Sequence, residues 1–386
     1  MLKSVMSLLN EPNDIVIRSS LCGHTYSNKF SCSLCVDNCP TQGLVWRDNT
    51  WQAEDCNRCG QCVAICPSHV FKLDEDSLVK KCQTNKPALL TCDVLLNGIK
   101  DSYNGLIVNM SCLNQLYPEL LLYILAEQGQ LNIYLEPEKC SQCYEFKCQN
   151  LIDKIQAIGD FKARINWIEN REGLPDLAVQ NEAPVMNRRE FLGTMLRRGK
   201  KASVEVINET ISDYNQLFAD NSNQNNGKLK AQPEKRLKLL MALQVFNQKN
   251  IAYEITELPY RYVQVDKCQF CGICSKLCPG DALEIKESDD SKSLHYWPLK
   301  CNGCGLCQNA CVMGEVNWGK AMQIEDLIKK KGEILLAAAK ADNCNSCGEK
   351  TFFYPDNQEH SCYVCRLKSK NPQNINPFKR WKFDSA

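Results

Sequence analysis

Apolar positions along this chain change their spacing several times, and each change marks a different kind of element. Between residues 87 and 143 the stretches PALLTC, GLIVNMSC and LNIYLEPEKCSQC carry compact apolar runs, and YPELLLYILAEQ, before the last of them, has helical spacing. Short apolar runs separated by helical pattern predict a small parallel α/β layer. Two further stretches, GLVWRDNTWQAED (43–55) and ALEIKESDDSKSLHYWPLK (282–300), each place two short β-rich segments around a polar turn, which predicts hairpins. EKRLKLLMALQVFNQK (234–249) repeats apolar residues at helical spacing and is expected to pack back on a domain. The polar run before it, DNSNQNNGKLKAQ (220–232), predicts a flexible linker. The longest apolar stretch, near LLLYILA (120–126), falls far short of the ~20 residues a bilayer requires, so no transmembrane segment is expected.

Charge adds little, because 46 Lys and Arg almost cancel 45 Asp and Glu. That balance removes any overall preference for nucleic acid or an anionic membrane. One segment departs from it: NRREFLGTMLRRGKKASVEVI (187–207) is strongly basic, either a helix that docks on an acidic or cluster-bearing surface or a solvated face. Its RREFL run looks like part of a twin-arginine export signal, but it begins at Arg188 with no apolar core after it. The opening MLKSVMSLLNEPND likewise lacks the apolar core and small-residue cleavage site of an export peptide, so a cytoplasmic location is expected.

The number that changes the picture is 26 cysteines. In a long chain with no export signal they are expected to be metal ligands rather than disulfide partners. CNRCGQCVAICP places Cys56, Cys59, Cys62 and Cys66 at gaps of two, two and three residues, the last before proline. CQFCGICSKLCP repeats the run at Cys268, Cys271, Cys274 and Cys278, and CNGCGLCQNAC again at Cys301, Cys304, Cys307 and Cys311, there without the proline. A fourth copy, Cys22, Cys32, Cys35 and Cys39, has nine residues (GHTYSNKFS) in its first gap, which predicts an inserted loop. Three thiolates on one tight loop suit three corners of an iron–sulfur cube, and the fourth cysteine points to the neighbouring cube. Zinc knuckles, the rival, need no trailing C-P ligand.

In these motifs, over roughly residues 20–80 and 263–320, the chain resembles bacterial-type dicluster ferredoxin domains, twice over. The resemblance implies βαββαβ-like modules holding four [4Fe–4S] clusters. Their ligands would be Cys22, Cys32, Cys35 and Cys66; Cys56, Cys59, Cys62 and Cys39; Cys268, Cys271, Cys274 and Cys311; and Cys301, Cys304, Cys307 and Cys278.

Six cysteines lie between the modules. Cys92, Cys112 and Cys140 each follow an apolar strand candidate, so a parallel sheet would bring them to its carboxyl edge, where such sheets bind ligands. With Cys143 they make a four-thiolate candidate; Cys148 could replace Cys92, and Cys82 is expected to stay free. The SCLNQLYPELLLYILAEQGQLNIYLEPEKCSQC run resembles the central domain of multi-cluster ferredoxin-like proteins. More loosely it resembles the iron–sulfur delta subunit associated with hydrogenases and heterodisulfide reductases. The likeness implies a fifth cluster there, a [2Fe–2S] among the options, against which stands the plain reading of buried structural cysteines.

Near the carboxyl end, CNSCGEKTFFYPDNQEHSCYVC gives Cys344, Cys347, Cys362 and Cys365, two C-x2-C knuckles that fit a zinc ribbon. A rubredoxin-like iron is the rival, disfavoured because the knuckles lack its usual proline; His360 lies inside but is not needed as a ligand. Radical S-adenosylmethionine, dinucleotide, P-loop and covalent haem motifs are missing, and four His argue against a His-rich catalytic centre.

The expected organisation is an α+β multidomain chain: a dicluster module (1–81), a Cys-containing α/β domain (82–165), a basic helical connector (166–262), a second dicluster module (263–325) and a helix with a zinc-ribbon-like tail (326–386). The expected role is a non-catalytic electron-transfer subunit of anaerobic metabolism within a hetero-oligomeric complex. By resemblance, its partner would be a formate dehydrogenase-, hydrogenase- or heterodisulfide reductase-like enzyme, or another electron-transfer subunit. A reductase using Cys140 and Cys143, or a redox-sensing regulator, are the alternatives; nucleic acid is not an expected partner.

Overall fold

The computed structural model describes residues 15–84, 87–103, 105–144, 149–174, 234–249, 261–312, 315–321, 332–354 and 360–370. The basic segment 187–207, the linker 220–232 and Cys148 lie outside them.

The two cysteine-rich segments share one plan. In the first, β1 (Val16–Ile17) pairs antiparallel with β4 (Phe71–Lys72), enclosing the hairpin of β2 (Leu44–Arg47) and β3 (Thr50–Ala53). In the second, β9 (Arg261–Val265) pairs with β12 (Val316–Ala321), enclosing β10 (Leu283–Glu287) and β11 (Ser291–Tyr296). The hairpins lie where alternating residues flank DN and SDD turns. Asp48 and Asn49 take the positive φ that a tight β-hairpin turn requires. The second hairpin does not stop at two strands: β13 (Ile334–Asn343) pairs along β11, and β14 (Lys350–Phe353) pairs along β13, so the tail and the module share one four-stranded sheet.

Between the modules, β5 (Ala88–Cys92), β6 (Leu106–Met110), β7 (Leu131–Tyr134) and β8 (Ile165–Ile168) form a parallel sheet in the order β6-β5-β7-β8. The apolar runs of the sequence supply the first three strands; β8, INWI, is too short to stand out by pattern. The helix Pro118–Gln128 is apolar on nearly every side, and it is buried accordingly. On it packs the connector helix Glu234–Gln248, with Phe246 stacked on Phe161 at 4.4 Å between ring centroids.

Candidate metal centres

Each C-x2-C-G-x-C loop is curled by two left-handed residues. They are Arg58 and Gly60 in one, Phe270 and Gly272 in another, Gly303 and Gly305 in the third. Alternation of left-handed residues turns successive N–H groups into one concavity, a ready site for an anionic cluster. Asn57 and Asn302 reinforce the curl, their Oδ1 atoms accepting from the N–H of Cys59 and Cys304 at 3.1 Å. Gly60 is doubly constrained: at φ +71° an added Cβ would also stand 2.3 Å from the Cβ of Gln115 in the central domain. A short helix follows each glycine and ends on an extended cysteine, Cys66, Cys278 or Cys311. That change of conformation carries the fourth thiol away from its own loop.

The thiols gather accordingly. Burial pushes Cys35 up to about 12, and adjacent Cys66, Cys22 and Cys32 push the same way. Cys62 is raised by burial, then by Cys59, Cys56, Cys35 and Cys39. In the second module burial brings Cys274 to about 12, with Cys268, Cys271 and Cys311 adding to it. Burial brings Cys278 to about 11, helped by Cys301. Thiols crowded like this oppose one another's ionisation, an arrangement that a cationic metal core relieves. Donors also face the sulfurs: Arg58 N to Cys56 Sγ (3.4 Å), Phe270 N to Cys268 Sγ (3.3 Å) and Ala282 N to Cys278 Sγ (3.2 Å). The donor sets fit iron–sulfur clusters in number, softness and N–H supply.

Cys22 needs a separate account, because nine residues part it from Cys32. The inserted loop folds on an aromatic cluster: His24 meets Phe30, Trp46 and Trp51 at 5.2, 5.5 and 5.9 Å between centroids. Trp51 Nε1 donates to Cys22 Sγ at 3.3 Å, turning that thiol toward Cys32 and Cys66.

The sets also meet across modules. Asn302 Nδ2 donates to Ser68 Oγ at 3.1 Å, buried, and Asn309 Nδ2 to Ser31 Oγ at 2.9 Å. These bonds bring the Cys301–Cys307 loop against the Cys32–Cys35 and Cys66 segments, and Cys304 is raised by burial first and, among its neighbours, by Cys66.

In the parallel sheet, β5 leads to β6 on one side and β7 to β8 on the other, so their carboxyl ends flank a topological switch point. Cys92 ends β5, Cys112 follows β6, and Cys140 and Cys143 lie on the helix Pro137–Tyr144 after β7. All four line one concavity of about 610 Å³, open mouth included, whose wall is mainly apolar (Val94, Leu95, Leu113, Leu135, Leu151) with Ser111, Asn114 and Lys139 among its polar members. Asn57 and Cys59 of the first module line it too, a contact between distant segments that no motif announces. Cys82 is outside this lining, packed in the core.

Cys344, Cys347, Cys362 and Cys365 bring their sulfurs within 4.8 Å of one another, Cys347 and Cys362 at 3.8 Å. Tetrahedral zinc–sulfur bonds of ~2.3 Å demand a sulfur separation of about 3.8 Å. Backbone N–H groups of Cys362 and Ser346 point at Cys344 Sγ and lower that thiol to about 6, which readies it to ligate. His360 is engaged elsewhere, Nδ1 to Asp342 Oδ2 at 2.9 Å and its ring on Phe353. The ribbon leans on the second module: Tyr354 Oη accepts from the N–H of Cys268, and Arg366 Nη2 donates to Gln269 Oε1 at 3.5 Å.

Among the described residues no helix is long and apolar enough to cross a membrane. The 4Fe-4S dicluster domain model matches residues 267–315, and the 4Fe-4S binding domain model residues 50–72. The Cys22–Cys39 half of the first module lies outside both matches. The chain is 40% identical over 58 residues to polyferredoxin protein MvhB of Methanothermobacter marburgensis, covering 12% of this chain and 14% of that protein. It is 37% identical over 51 residues to the methylamine utilization ferredoxin-type protein MauM of Methylobacillus flagellatus (12% and 22%). The corresponding protein of Methylophilus methylotrophus is 35% identical over 51 residues (12% and 23%). The chain thus spans less than a quarter of the length of these relatives. No solved structure matches it significantly. Geometry and likeness agree on the central point: this is a ferredoxin-like iron–sulfur protein with two 4Fe–4S ferredoxin-type domains.

Proposed function

We propose that the chain is an electron-relay subunit with four [4Fe–4S] clusters, a fifth metal centre in the central cavity and zinc in the ribbon. The ligand sets are those the crossing of the loops pairs: Cys22, Cys32, Cys35 and Cys66; Cys39, Cys56, Cys59 and Cys62; Cys268, Cys271, Cys274 and Cys311; Cys278, Cys301, Cys304 and Cys307. Cys92, Cys112, Cys140 and Cys143 serve the central centre, and Cys344, Cys347, Cys362 and Cys365 the zinc. Bound clusters of this kind exchange electrons at potentials set by hydrogen bonds, net charge and burial.

The observation that carries the reading is the adjacency of the thiol sets across domain boundaries. Cys59 shares the central cavity with Cys112, Cys62 neighbours Cys35, Cys66 neighbours Cys304, and Cys307 neighbours Cys274. The sets therefore follow one another from the central cavity through the first module, into the second from its later loop, and end at Cys268–Cys274 beneath the ribbon. That order is not the order of the sequence. Cys56 and Cys271 are exposed, which offers electron entry at two separate places.

The names of the polyferredoxin and ferredoxin-type relatives support the redox role. The partner is then a redox enzyme of the formate dehydrogenase, hydrogenase or heterodisulfide reductase kind, or a further electron carrier in the same complex. The test is anaerobic purification of the full chain with iron, sulfide and zinc analysis and low-temperature EPR. About sixteen to twenty iron and one zinc per chain are expected from the ligand sets. Protein holding zinc alone overturns the reading.

A further inference from the structure

Lys154, on the helix Gln149–Gln156, belongs to no motif, yet it lies where two thiol sets meet. Its Nζ donates to the carbonyl of Asn114 at 2.8 Å and to Gln61 Oε1 at 3.1 Å. Gln61 lies between Cys59 and Cys62 in the first module, and Asn114 follows Cys112 at the rim of the central cavity. Both acceptors are buried and neutral. Among the described residues the charged groups that act on Lys154 are another cation, Lys235, and the sulfurs of Cys112 and Cys59, with no carboxylate.

A part-buried ammonium whose hydrogen-bond acceptors are neutral favours an anion beside it, and the protein normally supplies one. Among the described residues the groups placed to do so are the two sulfurs, which are anionic when they ligate a metal. The position is therefore built for the metal-bound condition of both sets.

We propose that Lys154 is the counter-ion shared by the Cys39, Cys56, Cys59 and Cys62 centre and the Cys92, Cys112, Cys140 and Cys143 centre, and that it raises the reduction potential of both. This rests on the iron–sulfur reading of those sets. The sign follows from charge: a reduced centre is one unit more negative, so a nearby cation favours it. The hydrogen bonds to the Gln61 and Asn114 loops also hold the two sets together across the domain boundary.

The test is an EPR-monitored redox titration of the anaerobically purified full chain, with iron and sulfide counted on each sample. Lys154→Met should keep the wild-type iron and lower two potentials, each by about a tenfold fall in reduced fraction at fixed poise, ~59 mV for one electron. The remaining potentials should stay in place, and Lys154→Arg should restore both. With Cys112→Ser as background, removal of the lysine charge should shift one potential instead of two. Unchanged potentials in Lys154→Met, or a common shift of every centre, overturn the proposal. Should Lys154→Met lose iron, Lys154→Gln replaces it under the same criteria. Wild-type protein without iron defeats the underlying reading, whereas iron-replete protein with an indifferent Lys154 defeats this inference alone.

Discussion

Glu75→Gln is the most informative single change, because the Glu75 carboxylate joins three parts of the chain. It is 1% exposed. Oε1 meets His69 Nε2 of the first module at 2.7 Å, while Oε2 accepts from Tyr117 Oη of the central domain at 2.7 Å and from Lys238 Nζ of the connector helix at 2.9 Å. Burial pushes the carboxyl up, but the hydrogen bonds and charges of His69 and Lys238 outweigh it and bring it from 4.5 to about 2. At ~1.36 kcal/mol per tenfold change in proton affinity, that displacement is roughly 3 kcal/mol, near the ~3–5 kcal/mol lost when a buried pair is broken. Because the folded value is depressed, the contribution is complete above pH 4.5 and disappears as pH falls toward 2. The glutamine keeps the shape and loses the charge, leaving Lys238 uncompensated. Hydrogen exchange of the anaerobic protein at neutral pH should show amides of residues 234–248 opening roughly a hundredfold faster. Asp76→Asn is the control: Asp76 is exposed, its bond to Lys72 is 3.2 Å, and a surface pair contributes less than ~1 kcal/mol. A change under threefold in 234–248, or an equal change in Asp76→Asn, refutes the reasoning.

Other consequences are separable. Gly272→Ala meets nothing nearer than Ile285 Cδ1 at 3.8 Å and should lose only the ~1–2 kcal/mol of its left-handed backbone, keeping full iron. Gly60→Ala bears that cost and also strikes Gln115, so it should melt lower and lose iron from the first module, as melting and iron analysis will read. Trp51→Phe removes the Nε1–H donated to Cys22 and should lower one reduction potential in an EPR titration without changing the iron count. Cys362→Ser should release the zinc, measured by a chromogenic chelator, while iron stays at the wild-type level.

What sequence could reveal and what it could not divides along a physical line. A spacing such as C-x2-C-x2-C is local chemistry, so the curled loops and the turns at Arg58, Gly60, Phe270 and Gly272 follow from a few adjacent residues. Compact apolar runs carry LLTC and LIVNM, and helical spacing carries Pro118–Gln128, in the same way. The continuation of the second hairpin by Ile334–Asn343 is different, because pairing between distant strands depends on register and burial rather than on local pattern. Cys22 could be assigned only by the ferredoxin spacing rule; its orientation depends on Trp51, 29 residues away. Lys154 left no signal at all. A lysine on a polar helix face looks solvated until its helix is packed against two cysteine loops.

The connector helix shows why these long-range features belong together. A small iron–sulfur module has little apolar surface of its own to bury, and stability must come from elsewhere. Here one apolar cluster runs from Leu21 and Phe71 through Leu120 and Leu243 to Leu294 and Ala339, so modules and central domain share a core. The helix Glu234–Gln248 enters that core with charged residues first. Glu234 pairs with Arg18 and His69, Lys235 donates to Ala64 O at 2.7 Å and covers the Tyr117 ring, and Arg236 donates to Pro298 O. Together these contacts reach the first module, the central domain and the second module. A helix so anchored cannot shift without exposing Leu239, Leu243 and Phe246 and stranding several charges together, a penalty far above thermal energy. Distances between thiol sets are therefore held by the same burial that keeps the protein folded, and a relay built on them needs no separate device to keep its centres within reach.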